Sequence, residues 1–240
     1  GTALCGAPLQ VSHGFLRGWY GHNGVSLGNP RLGFVCTSQD MTAEYGLAGY
    51  FKEYDHDLEA EERLQFAPGE MAPPFDPDAA PQLNADAWPV ERLHKANRNY
   101  AMEYIKTGLP ELIATLGPGE ASALGNLAAN IIGRQFYGEV RGLLNTTGDS
   151  AMDFANFMSA MAAAQDDSAV VGGTDDDASV RISGWRLMRG RDNVHPAVFE
   201  AWNGLWQGCL AEHNRFLALQ IVERVDYGDD AFEWRIRRVR

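Results

Sequence analysis

The stretch that decides the fold is PAVFEAWNGLWQGCLAEHNRF (196–216), followed by LALQIVERV (217–225), DYGDD (226–230) and AFEWRIRRV (231–239). His195-Pro196 opens a helix that runs to about Phe216, since proline is well suited to a first helical turn. With Trp202 at zero degrees and about 100 degrees per residue, Val198, Phe199, Leu205, Trp206, Cys209, His213, Phe216 and Leu217 fall within about 60 degrees of it. Glu200, Asn203, Gln207, Ala211 and Asn214 lie opposite. The helix is therefore amphipathic, with a broad aromatic face to bury. Ala218–Val225 and Phe232–Val239 read as strands around a Gly-Asp turn.

Working back from this segment, Ala169–Gly172 and Val180–Met188 read as another strand pair, joined by Asp175-Asp176-Asp177. Before them come helices. Residues 90–108 place Leu93, Asn97, Tyr100 and Tyr104 on one face, and Pro110 marks a break or a new start. Pro118 opens a helix to about Leu144, with a strip of small residues one turn apart: Ala121, Gly125, Ala129 and Gly133. Such a strip lets a second backbone approach closely. A third helix spans Ser150–Gln165. Helices, hairpin, helix, hairpin is an α+β order, with helices packed on a curved antiparallel sheet.

Residues 1–90 differ in kind. Glycines at 14, 18, 21, 24, 28 and 33 punctuate the start. Leu32–Cys36 and Leu47–Tyr54 read as strands, and Asp57–Leu64 as the start of an acidic helix. Six of the eleven prolines (68, 73, 74, 77, 81 and 89) fall between residues 67 and 89. The chain thus divides into a loop- and Pro-rich segment, 1–90, read as a lid, and a helix-and-sheet domain, 91–240.

The chain has 240 residues and a net charge of -12. Residues 40–91 hold 13 Asp and Glu against only Lys52 and Arg63. That balance disfavours nucleic acid and anionic membrane surfaces as partners. No apolar run reaches the ~20 residues of a membrane span. Three cysteines at irregular spacing (5, 36 and 209) are no disulfide framework, and no secretory signal is visible, so a cytoplasmic location is the expectation. GxGxxG, Walker, GxSxG and HExxH patterns are all missing from the sequence.

Chemistry-bearing residues gather on helix 196–216. Cys209 and His213 lie one turn apart at the centre of its apolar face, with Glu212 on the margin. A thiol beside a histidine is a workable nucleophile pair, and histidine serves equally as general base toward water. Both residues fit a buried structural role as well. Asp55-His56-Asp57 leaves a divalent metal open, although strand alternation would separate the histidine from the carboxylates. His13 and His22, near Trp19 and Tyr20, sit in a glycine-rich stretch of a kind that closes over ligands.

The end of the chain resembles known families. Gly184-Trp185-Arg186-Leu187, then Leu205-Trp206-Gln207-Gly208-Cys209-Leu210, then Gln220 to Ile236 around the Gly228-Asp229 turn, together with Gly117-Pro118-Gly119-Glu120-Ala121 and Gly133-Arg134, are similar to two related families. These are the L-2-amino-thiazoline-4-carboxylic acid hydrolase-like family and the four-vinyl-reductase-type small-molecule-binding domain. The resemblance covers residues 95–240. It implies a ligand cavity between helices and a curved sheet, and a homodimer. The binding-domain family carries cysteines about the Gly-Asp turn where this chain has Asp226 and Phe232, so no thiol or metal role transfers there.

Residues and resemblance together give an enzyme acting on a small cyclic or aromatic molecule, a hydrolase opening a C–N or similar bond. His213 is then the base, Cys209 or an activated water the nucleophile, and Glu212 the group orienting the base. Trp185, Trp202, Trp206 and Tyr100 form apolar walls, and Arg134 or Arg186 pairs with a substrate carboxylate. A lyase in the same cavity, and a non-catalytic sensor of a small aromatic, are the alternatives.

Overall fold

The computed structural model describes residues 9–39, 46–80 and 82–239. It divides into two compact units, Gly1–Gln82 and Leu83–Arg240, so the boundary lies inside the proline-rich stretch and a few residues before the expected one.

The first unit contains α1 (Leu9–Leu16), a π-helical turn (Arg17–Gly21), α2 (Asn23–Ser26), β1 (Leu32–Ser38), β2 (Ala48–Glu53) and β3 (Leu64–Phe66). β1 is the central strand, antiparallel to β2 and parallel to β3. Both strands expected here form, within a residue or two. The helix expected over Asp57–Leu64 does not. Leu58 and Leu64 are both buried, the Leu58 amide donates to the Pro30 carbonyl at 3.0 Å, and Phe34 donates to the Arg63 carbonyl at 2.8 Å. Tertiary pairing holds the segment in turns and a short strand. The small core is Leu16, Phe34, Cys36 and Leu64, with Tyr20 and Phe66 against it.

The second unit contains α3 (Val90–Leu116), α4 (Pro118–Leu143), α5 (Ala151–Ala164), β4 (Ser168–Gly173), β5 (Asp177–Ser183), α6 (Pro196–His213), β6 (Leu217–Glu223) and β7 (Ala231–Arg238). It is α+β, as the sequence implies. The sheet order is β4-β5-β7-β6, with every neighbouring pair antiparallel. Alternation aims Ala178, Val180 and Ile182 of β5 and Phe232, Trp234 and Ile236 of β7 at the helices. The helix α3 runs through Pro110 without stopping there; Leu109 and Ile113 on either side pack against the core.

The axis of this unit is the pair α4 and α6. Gly133 and Cys209 are in contact, as are Tyr137 and His213, and both pairs are 76 residues apart. A constant offset means that the two helices run parallel and in register. The expected small-residue strip is the seam. A Cβ added at Gly125 would come within 2.6 Å of the Ala201 Cβ, and one at Gly133 within 2.9 Å of the Cys209 amide. On the facing helix, Gly204 and Gly208 lie against the backbones of Asn126 and Asn130. With α4 on one side and the sheet on the other, α6 is buried nearly all round. Hence Asn203, expected on a polar face, is buried, and its Oδ1 accepts from the Trp234 indole at 2.9 Å.

Candidate functional site

Four tryptophans converge where α6 meets the sheet. Trp202 and Trp206 are one turn apart on α6, with ring centroids 5.6 Å apart. Trp234 on β7 lies 5.9 Å from Trp202. Trp185 follows β5 and lies 5.5 Å from Trp202 and 5.1 Å from Phe232. The Phe199 and Phe232 rings stack at 4.8 Å. Each of these rings buries a large apolar surface, which stabilises the unit.

The indole N–H groups separate the four. Trp234 has Asn203 as acceptor, whereas the Nε1 atoms of Trp185, Trp202 and Trp206 are buried with no hydrogen-bond partner. An orphaned buried donor costs about 1–3 kcal/mol. All three residues line one crevice, with Ala162, Gln165, Asp167, Ile182, Gly184 and Phe232. Asp167 contributes the opposite polarity. Its Oδ2 accepts from the Arg186 amide at 2.9 Å, while its Oδ1 is buried with no hydrogen bond, 3.6 Å from an Arg189 nitrogen. Burial pushes the Asp167 carboxyl above the usual range. The residues that line the crevice thus include three whose buried indole N–H groups have no hydrogen-bond partner and one carboxylate whose Oδ1, ion-paired with Arg189, accepts no hydrogen bond. Its cavity volume is about 10 Å³, roughly the space for one water. Gly184, at φ 82 with nothing near its missing side chain, precedes Trp185 in the left-handed conformation that favours glycine.

The expected catalytic residues lie at the α4–α6 seam. His213 is 7% exposed. Its Nε2 is 2.8 Å from the Ser150 carbonyl and its Nδ1 is 2.5 Å from the Tyr137 hydroxyl. A carbonyl only accepts, so Nε2 carries the proton and Nδ1 accepts from Tyr137. Both nitrogens are engaged. Burial holds the imidazole below its ordinary value and pushes the Tyr137 phenol up to about 12. The Cys209 thiol contacts the Gly133 carbonyl at 3.7 Å, and burial raises it to about 12, which keeps it protonated. Glu212 does not reach His213; its carboxylate is 3.7 Å from Arg134. In this arrangement the three lack the free base lone pair, thiolate and orienting contact that the hydrolase reading requires.

Among the expected substrate-binding residues, Trp185, Trp202 and Trp206 come together as walls. Tyr100 does not join them: it is 57% exposed on α3, edge-on to Tyr104. Arg134 pairs with Glu212 and with Asn130. Arg186 sends its backbone amide to Asp167 and its guanidinium to Asn99, at 3.0 Å. The residue that the sequence reading missed is Asp167, hidden in a polar turn between α5 and β4.

His56 is exposed and, among the described residues, bonds to its neighbour Asp55 at 2.8 Å. Among the described residues, no three His, Cys, Asp or Glu side chains come close enough together to hold a metal ion. No described helix is long and apolar enough to cross a membrane. Of the cysteines, Cys36 and Cys209 are buried, and Cys5 lies outside the described residues.

No family model matches the sequence, and no curated protein matches it. Among solved structures, the chain is similar to a trafficking protein particle complex subunit 3 from Naegleria fowleri, covalently bound to palmitic acid. The identity is 13% and the TM-score 0.48, over 59% of this chain and 97% of that one. At that level the likeness identifies neither fold nor function.

Proposed function

We propose that the second unit is a binding domain for a small, flat heterocycle, taken into the tryptophan crevice. The observation that supports it is that the three tryptophans whose buried indole N–H groups have no hydrogen-bond partner all line one apolar crevice. Such a site suits a ring that carries an acceptor, and the Asp167 Oδ1, which accepts no hydrogen bond, favours an N–H donor on the same ring. A lactam or related cyclic amide has both. Ligand sites of this kind are mostly apolar, with a few convergent polar groups. The space of about 10 Å³ requires Trp185 to swing out about Gly184 as the ring enters.

The hydrolase reading is the weaker one, because His213 is satisfied on both nitrogens and Cys209 is buried as a thiol. A homodimer belongs to the same proposal: Leu124, Leu127 and Ile131 form an exposed i, i+3, i+7 stripe on α4 that suits a second copy. Sedimentation velocity of native protein and Leu127→Glu tests this: a dimer converted to monomer supports it, and a native monomer at high concentration contradicts it.

The binding reading is tested by titrating the protein with 2-quinolinone while following tryptophan emission. Saturable binding, lost with Trp202→Phe, is expected. Equal binding of indane, which has the ring shape without the polar groups, would overturn the role of the indole donors.

A further inference from the structure

The first unit carries a cleft of opposite character. Within residues 1–82 there are eleven Asp and Glu but only four Lys and Arg. Arg31 pairs with Glu53 at 2.9 Å, and Lys52 lies over the Tyr54 ring, 4.8 Å from its centroid. The other two, Arg17 and Arg63, line one cleft with Gly21, His22, Ala60 and Leu64. Among the described residues, neither is paired with a carboxylate.

The cleft is built rather than incidental. Phe34 donates to the Arg63 carbonyl and Leu64 pairs with Phe34, so the start of β3 is fixed against β1. The Arg63 guanidinium donates to the Leu58 carbonyl at 3.2 Å, which holds it while leaving further N–H groups for a ligand. The π-helical turn Arg17–Gly21 forms the other wall. Closure by i→i+5 bonds sets Arg17 and His22, five residues apart, on one side of the turn, and such turns recur at functional sites. Gly21 ends it, buried, where an added Cβ would touch Leu64 at 3.4 Å and the Arg63 carbonyl at 3.6 Å. Gly21 of the turn thus lies against Arg63 and Leu64.

Two arginines that line one cleft offer guanidinium groups from two sides to an anion that enters it. Among the described residues, no carboxylate of this acidic unit pairs with either arginine, which leaves both able to meet an anion from solution. Guanidinium binds oxyanions through paired N–H···O bonds. The cavity is about 220 Å³, below the range for drug-sized ligands. We infer that this cleft binds a small oxyanion with two negative charges, of the phosphate-monoester or dicarboxylate type. Flanking Glu59, Glu61 and Glu62 exclude long polyanions such as nucleic acid.

Calorimetric titration of the whole chain with inorganic phosphate and, separately, with succinate tests this. Binding of at least one at or below about 1 mM is expected. Arg17→Gln and Arg63→Gln should each weaken it at least about tenfold, and Arg31→Gln should leave it unchanged. Phosphate alone binding assigns the phosphoryl class, and succinate alone the dicarboxylate class. Because Arg63 also bonds Leu58, Arg63→Lys is the companion variant, expected to keep the fold and still bind more weakly than native. No saturable binding of either anion, or binding that survives either glutamine substitution, overturns the inference.

Discussion

Tyr137 donates to His213 and His213 donates to the Ser150 carbonyl, so one imidazole ties α4, α6 and the start of α5 together. Ser150 also caps α5, with Asp153 closing the reciprocal bond. Removing the hydroxyl in Tyr137→Phe leaves a buried acceptor unpaired, at about 1–3 kcal/mol. For a chain of this size that lowers Tm by about 2–4 °C per kcal/mol, which calorimetry reads directly. The histidine also imposes a pH dependence. Its folded value lies below the unfolded one, near 6.5. As pH falls, the unfolded chain takes up the proton first. The stability from neutral His213 is therefore complete above about 6.5 and erodes below it, toward the lower folded value. Urea midpoints at pH 7.5 and 5.5 check this: His213→Gln should be less stable at pH 7.5 and lose less on acidification than native protein. The sequence placed His213 and Cys209 correctly on a buried face of a helix. It did not reveal their partners, because Tyr137 and Ser150 reach the ring from other elements.

At the scale of elements, the α4–α6 seam depends on glycine from both sides. Gly208→Ala would drive a methyl group into the Asn130 backbone, and neither helix can shift without breaking the register between Gly133 and Cys209. Overpacking of this kind costs about 1–3 kcal/mol or more. A control at Gly138, on α4 with open space around it, should be neutral or slightly stabilising as alanine. Chemical denaturation of the two variants separates packing from propensity. The small strip Ala121, Gly125, Ala129 and Gly133 was legible from spacing alone. Its partner helix was not, since a wheel assigns one buried face and α6 has two. That is also why Asn203 was misplaced. Asp57–Leu64 failed for another reason: its acidic composition suggests a helix start, but Leu58 and Leu64 are claimed by β1.

For the molecule as a whole, each unit has its own core, and residues 67–80 with 82–89, mostly exposed, link them without regular strand or helix. Brief digestion with a protease of broad specificity should cut between residues 67 and 90 and leave a stable fragment that ends in the helix-and-sheet unit; first cuts within α4 or α6 would contradict this division. The α+β class and nearly every element of the second unit could be read from hydrophobic periodicity. The site could be read only in part. Aromatic walls show in a sequence, whereas the pairing of Trp234 with Asn203 and the orphaning of Trp185, Trp202 and Trp206 depend on tertiary placement. The most direct test of the central claim is a fluorescence titration of the native chain and of Asp167→Asn with 2-quinolinone and with indane. The account expects 2-quinolinone to bind at least about tenfold more tightly than indane in the native chain, with that preference reduced in the variant. Indistinguishable affinities for the two ligands, or no binding at all, would contradict it.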